Sequence, residues 1–251
     1  LAVALHMLTI YIMVRRNPDL APEGTPSPWS EIIAALANGW AALILMITVT
    51  GGIYLGVFSV NESASVGAFM AFLIALLRGR LSLANFWQAL RETAGTTSMI
   101  YLMIIGASIF TYAVSISGLP QMIVDGIRDT GVSGIWVVLM LMLMYLILGA
   151  IFDTISSMVI TIPFVFPLIL SYGYDPIWWG ILTVMVIEIG MITPPIGMNV
   201  FVMKAMLPNT KLSTIYAGVG PFIAADILRL GILIAFPAIS LWLVNILNLP
   251  R

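Results

Sequence analysis

The sequence predicts an all-α polytopic membrane protein, and three observations carry that prediction. Hydrophobic residues fill 61% of the 251 positions and charged residues only 8%, where a soluble domain carries about 25% charged residues. Apolar runs recur at the ~20 residues a bilayer-spanning helix needs. The charges fall mostly in the gaps between those runs, and mean hydropathy is +1.10.

Composition also excludes function classes. A formal net charge of −1 gives no bulk attraction to nucleic acid, and the absence of cysteine removes disulfides, thiol catalysis and thiolate-bound metals. His6 is the single histidine, which argues against histidine-based metal sites and Ser-His catalysis. It and the scattered methionines read as packing or lipid-facing residues. The chain opens at Leu1 inside an apolar run without a basic leader. It is therefore expected to enter mid-helix, with a preceding half, and not to begin with a signal peptide.

Taken in order, residues 1–14 are expected to end a membrane helix at Arg15-Arg16, and 17–35 to form a Pro-rich cytoplasmic loop. Residues 36–58 read as a span, and Ser59-Val60-Asn61-Glu62 as a loop or helix start with the acid in the first turn, where it is favoured. An apolar helix over 64–77 follows. Residues 81–93 and 120–130 read as amphipathic helices along the interface, flanking a span at 94–117.

Residues 136–170 are 35 positions with one charge, Asp153, at their centre. At ~1.5 Å per residue each 17-residue limb is about 25 Å long, short of the ~30 Å hydrocarbon core. A re-entrant hairpin over 135–171 explains the polar centre better than one helix; two short full spans are the alternative. Tyr172-Gly173-Tyr174-Asp175-Pro176 is a turn. A helix broken at Pro194-Pro195 covers 176–206, and the last helix, kinked near Pro237, covers 216–247.

With Arg15 and Arg16 in the cytoplasm, this plan puts Arg78, Arg80, Arg91, Lys204 and Lys211 there too, and leaves Arg128 and Arg251 outside. That asymmetry is the one expected of inserted proteins.

Two interruptions carry the chemistry. The first holds Gly149, Asp153, Thr154, Ser156 and Ser157. An ionisable group at bilayer depth is costly unless it faces a cavity or partner, so Asp153 marks a site. It is also suited to cap the second limb. The second holds Glu188, Gly190, Thr193, Pro194, Pro195, Gly197 and Asn199. Two prolines remove backbone donors and free carbonyls, which is how broken membrane helices build ion and substrate sites. Free carbonyls near Asp153 and Thr193 suit a hard cation such as Na⁺. Glu188 reads equally as a coupling group or an ion-paired structural acid. Asp226 and Arg229, three apart on the last helix, are expected to pair. An aspartyl protease pairing Asp153 with Asp226 is disfavoured, because neither acid has a Gly-x-Gly-Asp-like setting.

The segments Gly51-Gly52-Ile53-Tyr54-Leu55-Gly56, Gly149-Ala150-Ile151-Phe152-Asp153 and Glu188-Ile189-Gly190-Met191-Ile192-Thr193-Pro194-Pro195-Ile196-Gly197 occur in that order. On them the sequence resembles the C-terminal half of the large membrane subunit of tripartite ATP-independent periplasmic transporters. It departs from that pattern at Ser59-Val60-Asn61-Glu62, where the family more often carries Thr-Pro-Thr-Glu. The resemblance implies an ion-transporter-type elevator fold with one of two inverted repeats present. Residues 1–35 would end a helix and loop, 36–134 form scaffold and arm segments, and 135–251 the transport unit. It also implies Na⁺-coupled uptake of an organic acid in the bacterial inner membrane, with no cofactor beyond the coupling ion. A small membrane subunit and a periplasmic substrate-binding protein would be the partners. The alternative is a carboxylate or ion transporter of another family with the same broken-helix plan.

Overall fold

The computed structural model describes residues 1–21, 28–79 and 81–246, the side chains of residues 20, 32 and 36 excepted. Pro22, Glu23, Pro26, Arg80 and Arg251, which the sequence assigned to loops and flanks, lie outside the described residues. Those described form helices and turns and no strand, and five helices are long and apolar enough to cross a membrane. The count is six if one bent pair is a single span. The chain is a multi-pass, all-α membrane protein. It divides into two compact units, residues 22–100 and residues 1–21 with 101–251.

In the first unit, α2 (Trp29–Asn38) and α3 (Trp40–Tyr54) meet at Gly39 with a bend of 61°. The expected span over 36–58 therefore carries a bend at Gly39 near its start, and residues 29–35 are helical where a loop was expected. Arg78 explains part of the bend. Its guanidinium donates to the Asn38 carbonyl at 3.0 Å and lies 5.3 Å over the Trp40 ring, so it takes up a carbonyl that the break frees.

The next helix, α4 (Val60–Leu77), starts on a capping box: Ser59 accepts from the Glu62 N–H, and Glu62 accepts from the Ser59 N–H at 2.8 Å. It packs on α3 through small residues, with Ser63 buried and donating to the Val49 carbonyl. Then α5 (Leu83–Ile116) runs 34 residues without interruption. The expected boundary near residue 94 does not exist, because Gly95 alone, without proline or a cap, does not stop a helix. The division between the units falls inside α5.

In the second unit, α1 (Ala2–Arg16) packs on α11 (Leu212–Ala235). Gly118, in the left-handed conformation at φ 69°, ends the preceding helix and starts α6 (Leu119–Asp129). The core forms where α7 (Gly134–Ile151), α8 (Thr154–Ser171) and α9 (Pro176–Gly190) come together. Tyr145, Ile169, Trp178, Leu182 and Ile187 are almost fully enclosed there. Asp175 caps α9 by accepting from the N–H groups of Ile177 and Trp178, and Pro176 sits at the first helical position, where its missing N–H costs nothing. Trp178 closes the core by donating its indole N–H to the Leu233 carbonyl at 2.9 Å. After α10 (Met198–Met206), Lys204 donates to the carbonyls of Pro208 and Thr210 and fixes the link to α11. The last stretch breaks at Phe236, with α12 (Pro237–Ile246) beginning on the proline.

Candidate functional site

Only Phe152 and Asp153 separate α7 from α8. Phe152 is extended, at φ −115° and ψ 163°, so the chain leaves α7 and re-enters helix at once. Asp153 is the cap: its Oδ2 accepts from the Ser156 N–H at 3.1 Å, and its carbonyl accepts from the Ser157 N–H. Capping and a role in a site are compatible, because a carboxylate has further lone pairs to offer. Ser156 donates to the Met103 sulfur at 3.8 Å and faces a cavity of about 200 Å³ walled by Met103, Phe110 and Val159. Ser157 is 2% exposed, and its hydroxyl has no partner among the described residues.

The second interruption occupies residues 191–197, between α9 and α10. The Pro194-Pro195 bond is cis. Thr193 donates its hydroxyl to the Ile189 carbonyl at 2.6 Å, occupying an acceptor at the end of α9. Gly197 takes a left-handed conformation, φ 57° and ψ 74°, that restarts the helix as α10. Asn199 ties the break together by donating its backbone N–H to the Met191 carbonyl at 3.1 Å. Pro194, Pro195 and the Asn199 side chain are exposed.

The fold brings the two interruptions together. The Gly197 N–H donates to the Ala150 carbonyl at 3.2 Å, and Thr154 donates its hydroxyl to Glu188 Oε1 at 3.2 Å. The same hydroxyl lies 3.4 Å from the Met191 sulfur. Gly149 and Gly190 make the approach possible. A Cβ on Gly149 would stand 2.8 Å from the Ile187 Cα, and one on Gly190 2.6 Å from the Leu146 carbonyl oxygen, both closer than carbon tolerates. Glu188 itself is exposed and, among the described residues, forms no ion pair. Asp153 forms no hydrogen bond to residues 188–199 among the described contacts.

Sequence reasoning missed three contacts. Tyr216 donates its hydroxyl to the Ile196 carbonyl at 2.7 Å, a bond with no local signature. Thr154 reaching Glu188 depends on how α7, α8 and α9 pack. His6, read as a packing residue, instead meets Asp226 at 3.0 Å, which corrects that reading. The Asp226–Arg229 pair is present, also at 3.0 Å. Among the described residues no cluster of three or more His, Asp or Glu side chains is arranged to hold a metal ion.

The family model for the DctM component of the tripartite ATP-independent periplasmic transporters matches residues 1–239. The chain belongs to this family. The large permease DctM of the C4-dicarboxylate transporter of Pseudomonas aeruginosa is 31% identical over 97% of the chain. The sialic acid large permease SiaM of Vibrio cholerae is 27% identical over 96%. The isethionate permease DctMQ of Oleidesulfovibrio alaskensis is 32% identical over 80%. The match spans 56% of the first two relatives' length and falls in their C-terminal half. These relatives are named as transporter permeases, not enzymes. As a DctM-type chain, it has its two interruptions, joined by backbone and side-chain hydrogen bonds, as the candidate site.

Proposed function

We propose that this DctM-type chain supplies half of the substrate and ion site of a permease for Na⁺-coupled uptake of an organic acid. The observation that carries the reading is the meeting of the α7–α8 tip with the unwound segment, through Gly197 to Ala150 and Thr154 to Glu188. Two helix N-termini lie at this junction, and they differ. Asp153 already covers the start of α8 with negative charge, so that end attracts a cation. No side chain caps the start of α10, and although the Gly197 and Asn199 N–H groups there already donate to backbone carbonyls, its remaining positive end suits the acid group of a substrate. Gly149, Asp153, Thr154, Ser156 and Ser157 serve from the tip. Glu188, Gly190, Thr193, Pro194, Pro195, Gly197 and Asn199 serve from the broken helix.

The relatives' names speak of C4-dicarboxylates, sialic acid and isethionate, all organic acids. The same class is the substrate proposed here, delivered by a periplasmic binding protein to a complex that includes a small membrane subunit in the bacterial inner membrane. In this reading α7–α8 is re-entrant and moves with α9–α12 as an elevator unit, a matching half completing the site.

The test is uptake by the complete complex in liposomes under an imposed Na⁺ gradient. Asp153→Asn, and Thr193→Ala combined with Pro194→Ala, are expected to abolish uptake while membrane insertion stays normal. Ordinary Na⁺-dependent uptake by these variants would overturn the assignment.

A further inference from the structure

Residues 196 and 197 share a peptide unit that is gripped at both ends. Its carbonyl, from Ile196, accepts the Tyr216 hydroxyl at 2.7 Å. Its N–H, from Gly197, donates to the Ala150 carbonyl at 3.2 Å. One grip comes from α11 and the other from the end of α7. The Tyr216 oxygen also lies 3.3 Å from where a Cβ on Gly197 would stand, so ring and backbone are in close register. A peptide plane held at both ends cannot rotate, and its orientation fixes both the last turn of the unwound segment and the first N–H groups of α10.

The fold itself has little need of this bond. Ile196 is 42% exposed, Tyr216 is not fully enclosed, and neither belongs to the hydrophobic core. An exposed carbonyl that loses such a donor is hydrated in its place, at small cost to stability.

We propose that Tyr216 is a positioning residue for the cation seat where the Asp153 tip meets the unwound segment. By holding the Ile196–Gly197 peptide plane, its hydroxyl aims the neighbouring Thr193 and Pro194 carbonyls. It also keeps the Ile196 carbonyl engaged, so that this oxygen does not join the ligand set. The proposal rests on the Na⁺-coupled reading above.

The experiment titrates Na⁺ alone, against choline, into the purified complete transporter and follows the unfolding temperature, which rises as ligand binds the folded state. Tyr216→Phe removes only the hydroxyl. Its unfolding temperature without Na⁺ is expected to match the wild type, while half-saturating Na⁺ rises roughly three- to ten-fold, the equivalent of one hydrogen bond. Tyr216→Leu, which also loses the ring, is expected to show the same rise together with a lower Na⁺-free unfolding temperature. An unchanged half-saturation in Tyr216→Phe overturns the proposal, with or without a lower unfolding temperature. If the wild type shows no Na⁺ response while choline and Na⁺ behave alike, the Na⁺ reading has failed and the proposal falls with it. If the wild type responds and Asp153→Asn abolishes the response but Tyr216→Phe leaves it intact, only the proposal fails.

Discussion

His6 Nε2 and Asp226 Oδ1 meet at 3.0 Å although 220 positions separate them in the chain. Arg229 reaches the same oxygen at 3.0 Å, and the Phe222 ring stands edge-on to the imidazole at 5.7 Å. Asp226 thus serves α1 and α11 at once, and is 6% exposed. Asp226→Ala strands the Arg229 charge and is expected to cost about 3–5 kcal/mol. Adding Arg229→Leu removes the stranded charge and is expected to recover most of the loss. The yield of monodisperse protein in detergent, with its unfolding temperature, measures both. His6→Phe removes one hydrogen bond and is expected to cost less, about 1 kcal/mol.

Gly149 and Gly190 predict a contrast among glycine substitutions. Gly190→Ala places a methyl against the Leu146 carbonyl oxygen and the Ala150 nitrogen, backbone atoms that do not step aside. A loss of about 2–3 kcal/mol is expected, at the upper end for overpacking. Gly218→Ala, on α11 with nothing within 4 Å of the new carbon, is expected to be neutral or to stabilise by up to about 1 kcal/mol. Chemical unfolding of the two variants side by side reads the difference.

Trp178→Phe keeps most of the ring but deletes the indole donor to the Leu233 carbonyl, in a site where the tryptophan is 2% exposed. The carbonyl left unpaired there is expected to cost about 1–3 kcal/mol. A lower unfolding temperature with unchanged helical content is the expected result.

Asp153 separates stability from transport. Asp153→Asn keeps a side-chain acceptor for the Ser156 N–H, whereas Asp153→Ala leaves it without one, at a cost of about 1 kcal/mol. Asn is therefore expected to match the wild type in unfolding temperature and Ala to fall below it, while both lose uptake. Uptake that tracks unfolding temperature instead would make the residue a cap and nothing more.

The features legible in the sequence were those with a local chemical cause. The turn at Asp175-Pro176, the break after Gly190 and the helix start after Asp153 each rest on a residue that cannot continue a helix or prefers to begin one. Features set by packing were not legible. Amphipathic spacing over 81–93 identified a polar face but gave no boundary, so α5 emerged as one helix. The bend at Gly39 draws on Arg78, forty residues later. The partner of His6 lies at the far end of the chain, and hydropathy alone gives a lone histidine no partner. Of the candidate site, its residues were legible and their pairing was not. Nothing local says that Thr154 reaches Glu188 or that Tyr216 holds Ile196.

The glycine contact between α7 and α9 also acts as a ratchet stop. If α7 slid by one turn, Tyr145 would arrive in the slot that Gly149 now fills, facing the Ile187 backbone with a phenol in place of a hydrogen atom. On the other side of the contact, a one-turn slip of α9 would bring Val186 to the position of Gly190. The close approach at Gly149 and Gly190 therefore resists a one-turn slip of either helix in that direction. The tight contact ends where both helices do, at Phe152 on one side and at the 191–197 break on the other.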